Sequence, residues 1–213
     1  MKIIQWYDIC IGVYQVRRNR IMKKYLAVLF ISAAVVSLYG QTKLRDQRDG
    51  YLYRTVNIQG LTWMAENLRY KASQGSYYFD NNSVNLEKYG MLYDWKTALK
   101  VCPPGWRLPT GAEYQALLTH NEEKGTWQNK PSDSNSFGIQ LGGMQDHEGN
   151  YTELDEAAYF WTATEYDREN AEYFSYMLVT DKQVVDVSRK EDMSDIHGAE
   201  KTNKYSVRCV KGK

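Results

Sequence analysis

From Tyr53 the chain alternates. "YRTVNI" to Ile58 sets apolar and β-branched residues against polar ones, Gln59-Gly60 interrupts, and "LTWM" from Leu61 to Met64 resumes. A period of two on either side of a two-residue turn predicts a β-hairpin. Ahead of it, residues 41–50 form a polar lead-in. Lys71 to Glu87 is rich in Ser, Asn, Gly and Tyr and has no helical period, so a long ordered loop is expected there. The period then changes. Leu92, Trp95 and Leu99 fall at i, i+3 and i+7, which predicts a first helix over about Leu92 to Lys100. Pro103 and Pro104 lack backbone donors and end it, and Gly105 permits a tight turn. Thr110 stands ahead of Glu113 at the spacing of a capping box, with Tyr114, Leu117 and Leu118 behind it, so a second helix is expected from about Gly111 to Glu123. Beyond Phe137 the pattern is β again. "FGIQLGG" precedes the turn "DHEGN" (Asp146 to Asn150), and strands are expected from Tyr159 to Thr164, Glu172 to Val179, Gln183 to Ser188 and Tyr205 to Val210. A charged loop lies between Arg189 and Lys204. Two early helices and a mostly antiparallel sheet of later strands predict one α+β domain.

The N-terminal pattern is of another kind. In "MKKYLAVLFISAAVVSLYGQ", Met22 to Gln41, two lysines precede an uncharged run from Tyr25 to Gly40. A basic start, an apolar stretch of about 13 residues and a small residue at the exit make a secretory signal peptide over residues 22–40, cut after Gly40. The run is short of the roughly 20 residues a membrane span needs, so no stable span is expected after cleavage. An uncleaved anchor is the alternative. Signal peptides begin at their own basic region, so residues 1–21 are expected to be an upstream extension, with Met22 the true start. Charge follows the same division. Residues 1–40 hold six of the 27 basic groups and one of the 26 acidic ones, leaving 21 against 25 for the rest. A mildly acidic body gains little from phosphate backbones, so no nucleic-acid partner is expected. With 43% hydrophobic and 14% aromatic residues over 213, the chain is rich enough to bury a core.

Loss of residues 1–40 removes Cys10 and leaves Cys102 and Cys209. An exported chain with two cysteines has one intramolecular pairing available, so a Cys102–Cys209 disulfide is predicted. Reduced thiols used for chemistry are the alternative.

Five blocks in order, "YRTVNIQGLTWMAENLRY", "YGMLYDWKTAL", "VCPPGWRLPTGAEYQALL", "YFWTATEY" and the terminal "SVRCVK", resemble the motifs of the Fibrobacter succinogenes major paralogous domain family. The resemblance covers about Asp49 to Lys211, and a domain over residues 51–213 is expected. It implies a C-type-lectin-like fold in a secreted or cell-surface bacterial protein, related in fold to formylglycine-generating and sulfatase-modifying domains. It implies no established activity. The family's hairpin motif often has Gly before the Gln, and a second cysteine pair lies in its Tyr-rich loop. Here Gln59-Gly60 stands at the turn and Gly75 to Glu87 contains no cysteine.

Candidate chemistry is sparse. The enzymatic relatives work through reactive cysteines, which need an accessible thiolate, and the bridge uses both. A calcium lectin places proline between two acids or amides in an oxygen cage. None of Pro103, Pro104, Pro109 and Pro131 is so flanked. "DHEGN" and "EYDREN" (Glu165 to Asn170) offer oxygens but are better read as turns with solvated charges; "EDMSDIHGAE", Glu191 to Glu200, is the better candidate for a variable ligand loop, though a solvated charged loop is the favoured reading there too. His120, His147 and His197 share no ligand spacing, so no metal and no cofactor are expected. A Gly-x-Ser-x-Gly elbow is also missing. Trp63, Trp95, Trp106 and Trp161 belong with the core by their apolar neighbours. Tyr70, Tyr77, Tyr78 and Trp127 sit in polar loops near Asn81, Asn82 and Gln128, where aromatic faces beside amides stack on sugars or on a partner's apolar patch. The expectation is a non-catalytic module, secreted to the periplasm or cell surface, that meets a glycan or surface protein through Tyr77, Tyr78 and Trp127. A structural or assembly role in the cell envelope is the alternative.

Overall fold

Gln59 and Gly60 take φ values of 50° and 79°, the positive pair that a tight hairpin turn requires, and β2 (Leu52–Ile58) folds back as β3 (Leu61–Met64) with Ile58 opposite Leu61. The structure, a computed structural model, describes residues 43–124, 137–179, 182–187 and 198–212. The leader readings and Trp127 lie outside the described residues. Part of the polar lead-in is a strand: β1 (Lys43–Arg45) pairs antiparallel with β2. At the other edge β13 (Val210–Lys211) pairs antiparallel with β3, so the small sheet runs β1-β2-β3-β13.

The larger sheet gathers β4 (Ser76–Tyr77), β5 (Leu92–Tyr93), β6 (Gly142–Gln145), β7 (Tyr151–Leu154), β8 (Ala157–Glu165), β9 (Asn170–Val179), β10 (Lys182–Val187), β11 (Ala199–Glu200) and β12 (Tyr205–Ser206). Its main path is β10-β9-β8-β12-β5-β4; β11 joins β9, and β6 joins both β7 and β8. Pairing is antiparallel except where β12 and β6 meet β8. The helices are few: α1 (Leu86–Tyr89) and α2 (Trp95–Ala98) are single turns, and α3 (Gly111–Lys124) is the one of length among the described residues. The architecture is α+β with mostly antiparallel sheets.

β8 shows why its sequence reads as a continuous apolar run. Successive side chains face opposite sides of a sheet. Ala158 and Phe160 enter one core with Phe174, Tyr176, Trp63 and Tyr114, while Ala157, Tyr159 and Trp161 enter another with Tyr93, Tyr205 and Val207. Helix α3 covers the first, its Tyr114 ring stacked 4.7 Å from Phe174 and edge-on 5.2 Å from Trp63. In the second, Trp161 stacks on Tyr205 at 4.4 Å and donates its indole N–H to the Tyr93 carbonyl at 2.7 Å. Trp63 and Trp161 are fully buried, whereas Trp95 and Trp106 pack against the core from its margin.

Two expected elements come out differently, and the second helix comes out as expected. The first helix starts at Trp95, because Leu92 and Tyr93 are drawn into strand pairing with β4 and β12 and the Asp94 side chain caps the turn by accepting from Thr97 N at 2.8 Å. The second runs Gly111–Lys124 with its box closed both ways: Glu113 N donates to Thr110 Oγ1 at 3.3 Å and Thr110 N to Glu113 Oε2 at 2.8 Å. The stretch from Tyr205 to Val210, expected as one strand, divides between the two sheets as β12 and β13. The loop from Lys71 to Glu87 is ordered and holds β4, two short 3-10 turns and the start of α1. Cys102 and Cys209 are joined as a disulfide, with their Cα atoms 5.8 Å apart. It ties the segment after α2 to the residue that leads into β13.

Candidate functional site: a tyrosine face at the sheet edge

The site is assembled on β4, an end strand of the large sheet. Gly75, at φ 68°, brings the loop so close to α2 that a Cβ there would collide with Thr97 and Asp94. Ser76 then pairs with Tyr93 and Tyr77 with Leu92. After Tyr78 the chain makes the 3-10 turn Phe79–Asn81, in which Asp80 and Asn81 both adopt φ 54°. Positive φ is costly for residues other than glycine and is least so for Asp and Asn. Asparagines hold the turn: Asn85 Nδ2 donates to the Phe79 carbonyl at 3.0 Å, and Asn82 Oδ1 accepts from Val84 N at 3.1 Å. Phe79 is the buried anchor, its ring 5.2 Å from that of Tyr151.

Tyr151 arrives from the other side. It opens β7 opposite Gln145, and the turn between them is pinned by Asp146, whose carboxylate accepts from Asn150 N at 2.8 Å and Asn150 Nδ2 at 2.9 Å. Gln145 also exchanges backbone hydrogen bonds with Lys204. One short crossing therefore brings two contacts side by side. The Tyr151 hydroxyl meets Asn81 Oδ1 at 3.3 Å, and the Lys204 ammonium lies 5.5 Å from the centre of the Tyr77 ring. Burial raises the pKa of the Tyr151 phenol, with Asp80 and Tyr77 adding to the rise, so it is a neutral donor and acceptor at physiological pH. Tyr77 and Tyr151 are half-buried and Asn81 is exposed. Two aromatic rings flanked by an amide, a carboxylate and an ammonium can stack on an apolar sugar face and hydrogen-bond hydroxyl groups at its rim.

Of the residues predicted from sequence, Tyr77 belongs to this face. Tyr78, its neighbour, packs against the core beside Lys71, whose ammonium is 5.4 Å from its ring. Tyr151 and Lys204 were not singled out in the sequence. The one hint is that Tyr151 directly follows the turn residues Gly149 and Asn150; the bridge that brings Lys204 alongside is tertiary.

The acidic clusters are occupied by the chain itself. Asp146 is bound as described, and Asn150 holds its pKa below the usual carboxylate value. In Glu165 to Asn170, Asp167 Oδ1 accepts from the backbone N–H groups of Glu169 and Asn170 at 2.8 and 2.7 Å. The neighbouring oxygens surround Lys201: its ammonium donates to Glu165 Oε1 at 2.5 Å and to the carbonyls of Asp167 and Arg168 at 2.7 and 2.8 Å, above the Trp95 ring. Most of the loop from Glu191 to Glu200 lies outside the described residues. Among the described residues no group of His, Cys, Asp and Glu is arranged to hold a metal ion. A concavity of about 260 Å³ lies between the β2–β3 hairpin and α3. It is lined chiefly by Ile58, Leu61, Trp63, Ala112 and Ala116, is smaller than the roughly 300–1,000 Å³ typical of ligand pockets, and its acid, Glu113, is engaged with Arg107.

A family model described as the Fibrobacter succinogenes major domain matches residues 56–211. The chain belongs to that family. Comparison with curated proteins and with solved structures gives no significant match. No helix among the described residues is long and apolar enough to cross a membrane.

Proposed function

We propose that this is a secreted, non-catalytic binding module of the bacterial periplasm or cell surface, with a C-type-lectin-like fold, that recognises a glycan or a surface protein through its loops. The observation that carries the reading is the pair of contacts made where Gln145 and Lys204 bridge: Tyr151 meets Asn81, and the Lys204 ammonium lies over the Tyr77 ring. The site lies where the short strands β4 and β7 meet the turns beside them, and loops and turns on a rigid sheet are the usual location of binding residues. The disulfide supports export, since such bridges persist in oxidising compartments. It also engages both cysteines of the described residues, which leaves thiol chemistry without a free group there. The oxygens of Asp146, Asp167 and Glu165 are held by the chain's own donors, which favours recognition without a bridging calcium ion.

The test is binding of the oxidised protein to a panel of polysaccharides and glycans, with and without added calcium. Saturable binding that is unchanged by calcium and weakened in Tyr77→Ala or Tyr151→Ala supports the reading. Silence across the panel, with envelope proteins captured by cross-linking in the native cell, transfers the role to the structural or assembly alternative.

A further inference from the structure

The turn between β6 and β7 carries a second chemistry. Asn-x-Ser/Thr with no proline in the middle is the acceptor tripeptide for N-linked saccharides on exported chains, and it occurs at Asn81-Asn82-Ser83 and at Asn150-Tyr151-Thr152. Asn81 and Asn150 are both exposed. The hydroxyl residues differ. Ser83 is exposed, and solvent is open to its hydroxyl. Thr152 lies in β7 opposite Met144, and its Oγ1 is shut from solvent with no hydrogen-bond partner. Burying a hydroxyl without a partner costs stability that a valine of the same shape does not, and valine suits a strand as well as threonine does. The fold therefore has no use for the Thr152 hydroxyl. The tripeptide gives it one, because the acceptor is defined by the hydroxyl of its third residue.

We propose that Asn150 is an N-glycosylation site that takes a saccharide from a polyprenyl-pyrophosphate-linked donor. Asn150 Nδ2 forms a bond to the anomeric carbon as the bond from that carbon to the pyrophosphate oxygen breaks. The polyprenyl pyrophosphate leaves with the electron pair, and one amide proton passes to a base of the transferase. The turn accommodates the product. Asn150 Nδ2 donates to Asp146 Oδ2 at 2.9 Å and to Glu148 Oε2 at 3.4 Å. The substituted nitrogen keeps one of its two N–H groups, enough for the shorter bond, and Asn150 N still donates to Asp146 Oδ1 at 2.8 Å. Glu148 and Gly149 beside it are exposed, so a bulky group meets solvent rather than core. Tyr151, the middle residue, makes the contact with Asn81, which places the saccharide beside the proposed binding site. The inference rests on the export of the chain proposed above and is independent of the ligand.

The test is tandem mass spectrometry of the protein purified from its native cell, with the N-terminus and the state of the cysteines read from the same sample. A saccharide mass on Asn150 is expected. Thr152→Val, expressed in the same cell, is expected to lose the saccharide and to melt no lower than the wild type, since it removes no hydrogen bond. Thr152→Ser is expected to retain the saccharide. Loss in a valine variant that is fully folded assigns the hydroxyl to recognition by the transferase. A bare Asn150 on a chain cut after Gly40, with its disulfide formed, overturns the proposal and leaves export standing. An uncut chain with free thiols removes export and the proposal together. A saccharide that persists on Asn150 in Thr152→Val also overturns it, because attachment is then independent of the tripeptide.

Discussion

Arg208 donates Nε to Asn67 Oδ1 at 3.0 Å from a position with no solvent exposure. The rest of its fork reaches the carbonyls of Phe137 and Gly138, and its plane lies over Phe137 and Phe160, with ring centres 4.4 and 5.3 Å away. The partners are an amide and two carbonyls rather than a carboxylate. Burial lowers the Arg208 pKa to about 9, which leaves it charged at neutral pH. Hydrogen bonding to three oxygens compensates that buried charge and fixes the Phe137–Gly138 backbone against the core.

Arg208→Lys keeps the charge and loses the planar fork. The ammonium cannot present donors in the spread that the three acceptors require, so at least one carbonyl is left without its partner. The expected cost is about 2–3 kcal/mol, read as a lower midpoint in equilibrium denaturation. A variant as stable as the wild type would show that the fork adds nothing beyond its charge.

The disulfide makes a separate prediction. It closes 107 residues of chain, for which chain entropy gives roughly 4–5 kcal/mol as an upper value and practice about 2–4. Removing both cysteines, Cys102→Ser with Cys209→Ala, is expected to destabilise the protein by that amount, and reductant is expected to lower the wild type to a similar level. Denaturation with and without reductant checks both. A reductant-insensitive wild type beside a destabilised double variant would assign the loss to packing around the fully buried Cys209 instead.

Much of this fold is local and was therefore legible. Gln59-Gly60 predicts its hairpin because the turn chemistry lies in two adjacent residues. The same holds for Thr110 and Glu113 at the start of α3. Where the sequence misleads, tertiary pairing prevails. Leu92 has the spacing of a helix but is claimed by β-pairing on both sides, and the Asp94 cap that dates the true start was a readable signal. "YSVRCV" reads as one strand, yet the pull of Arg208 into the core separates β12 from β13. The site divides in the same way. Tyr77 was legible as an aromatic residue in a polar loop, whereas its partnership with Tyr151 and Lys204 depends on a bridge between Gln145 and Lys204 that no periodicity encodes.

The capping box gives a pH dependence with a definite sign. Hydrogen bonds from Arg107, at 2.6 and 2.8 Å, hold the Glu113 pKa below its ordinary value of 4.5 against the opposing effect of burial. The unfolded chain therefore takes up this proton first as pH falls. The stabilisation is fully present above the ordinary carboxylate pKa and is lost as pH drops through the lower folded value. Glu113→Gln is expected to cost about 1 kcal/mol at neutral pH and to flatten the acid limb of the melting-temperature profile. Parallel acid limbs in variant and wild type would assign the acid sensitivity to other carboxylates, Asp46 beside Arg48 first among them.

Tyr77 and Tyr78 are adjacent in sequence and distinct in role, which sharpens the binding prediction. Tyr77 faces Lys204 and the Tyr151 neighbourhood, while Tyr78 packs against the core. Tyr77→Ala is expected to leave the melting temperature nearly unchanged and to weaken ligand binding about two- to tenfold, the range that a stacking contact of about 0.5–1.5 kcal/mol supports. Tyr78→Ala is expected to do the reverse, lowering stability and sparing affinity once the protein is folded. Tyr151→Phe isolates the hydroxyl: it keeps the ring on Phe79 and removes the hydrogen bond to Asn81. A loss of affinity in Tyr151→Phe as large as in Tyr151→Ala identifies hydrogen bonding as the source of recognition, and no loss in the phenylalanine variant identifies stacking. Calorimetric titration of the four variants beside their melting curves distinguishes these outcomes, and equal effects of Tyr77→Ala and Tyr78→Ala on affinity would remove the tyrosine face as the site.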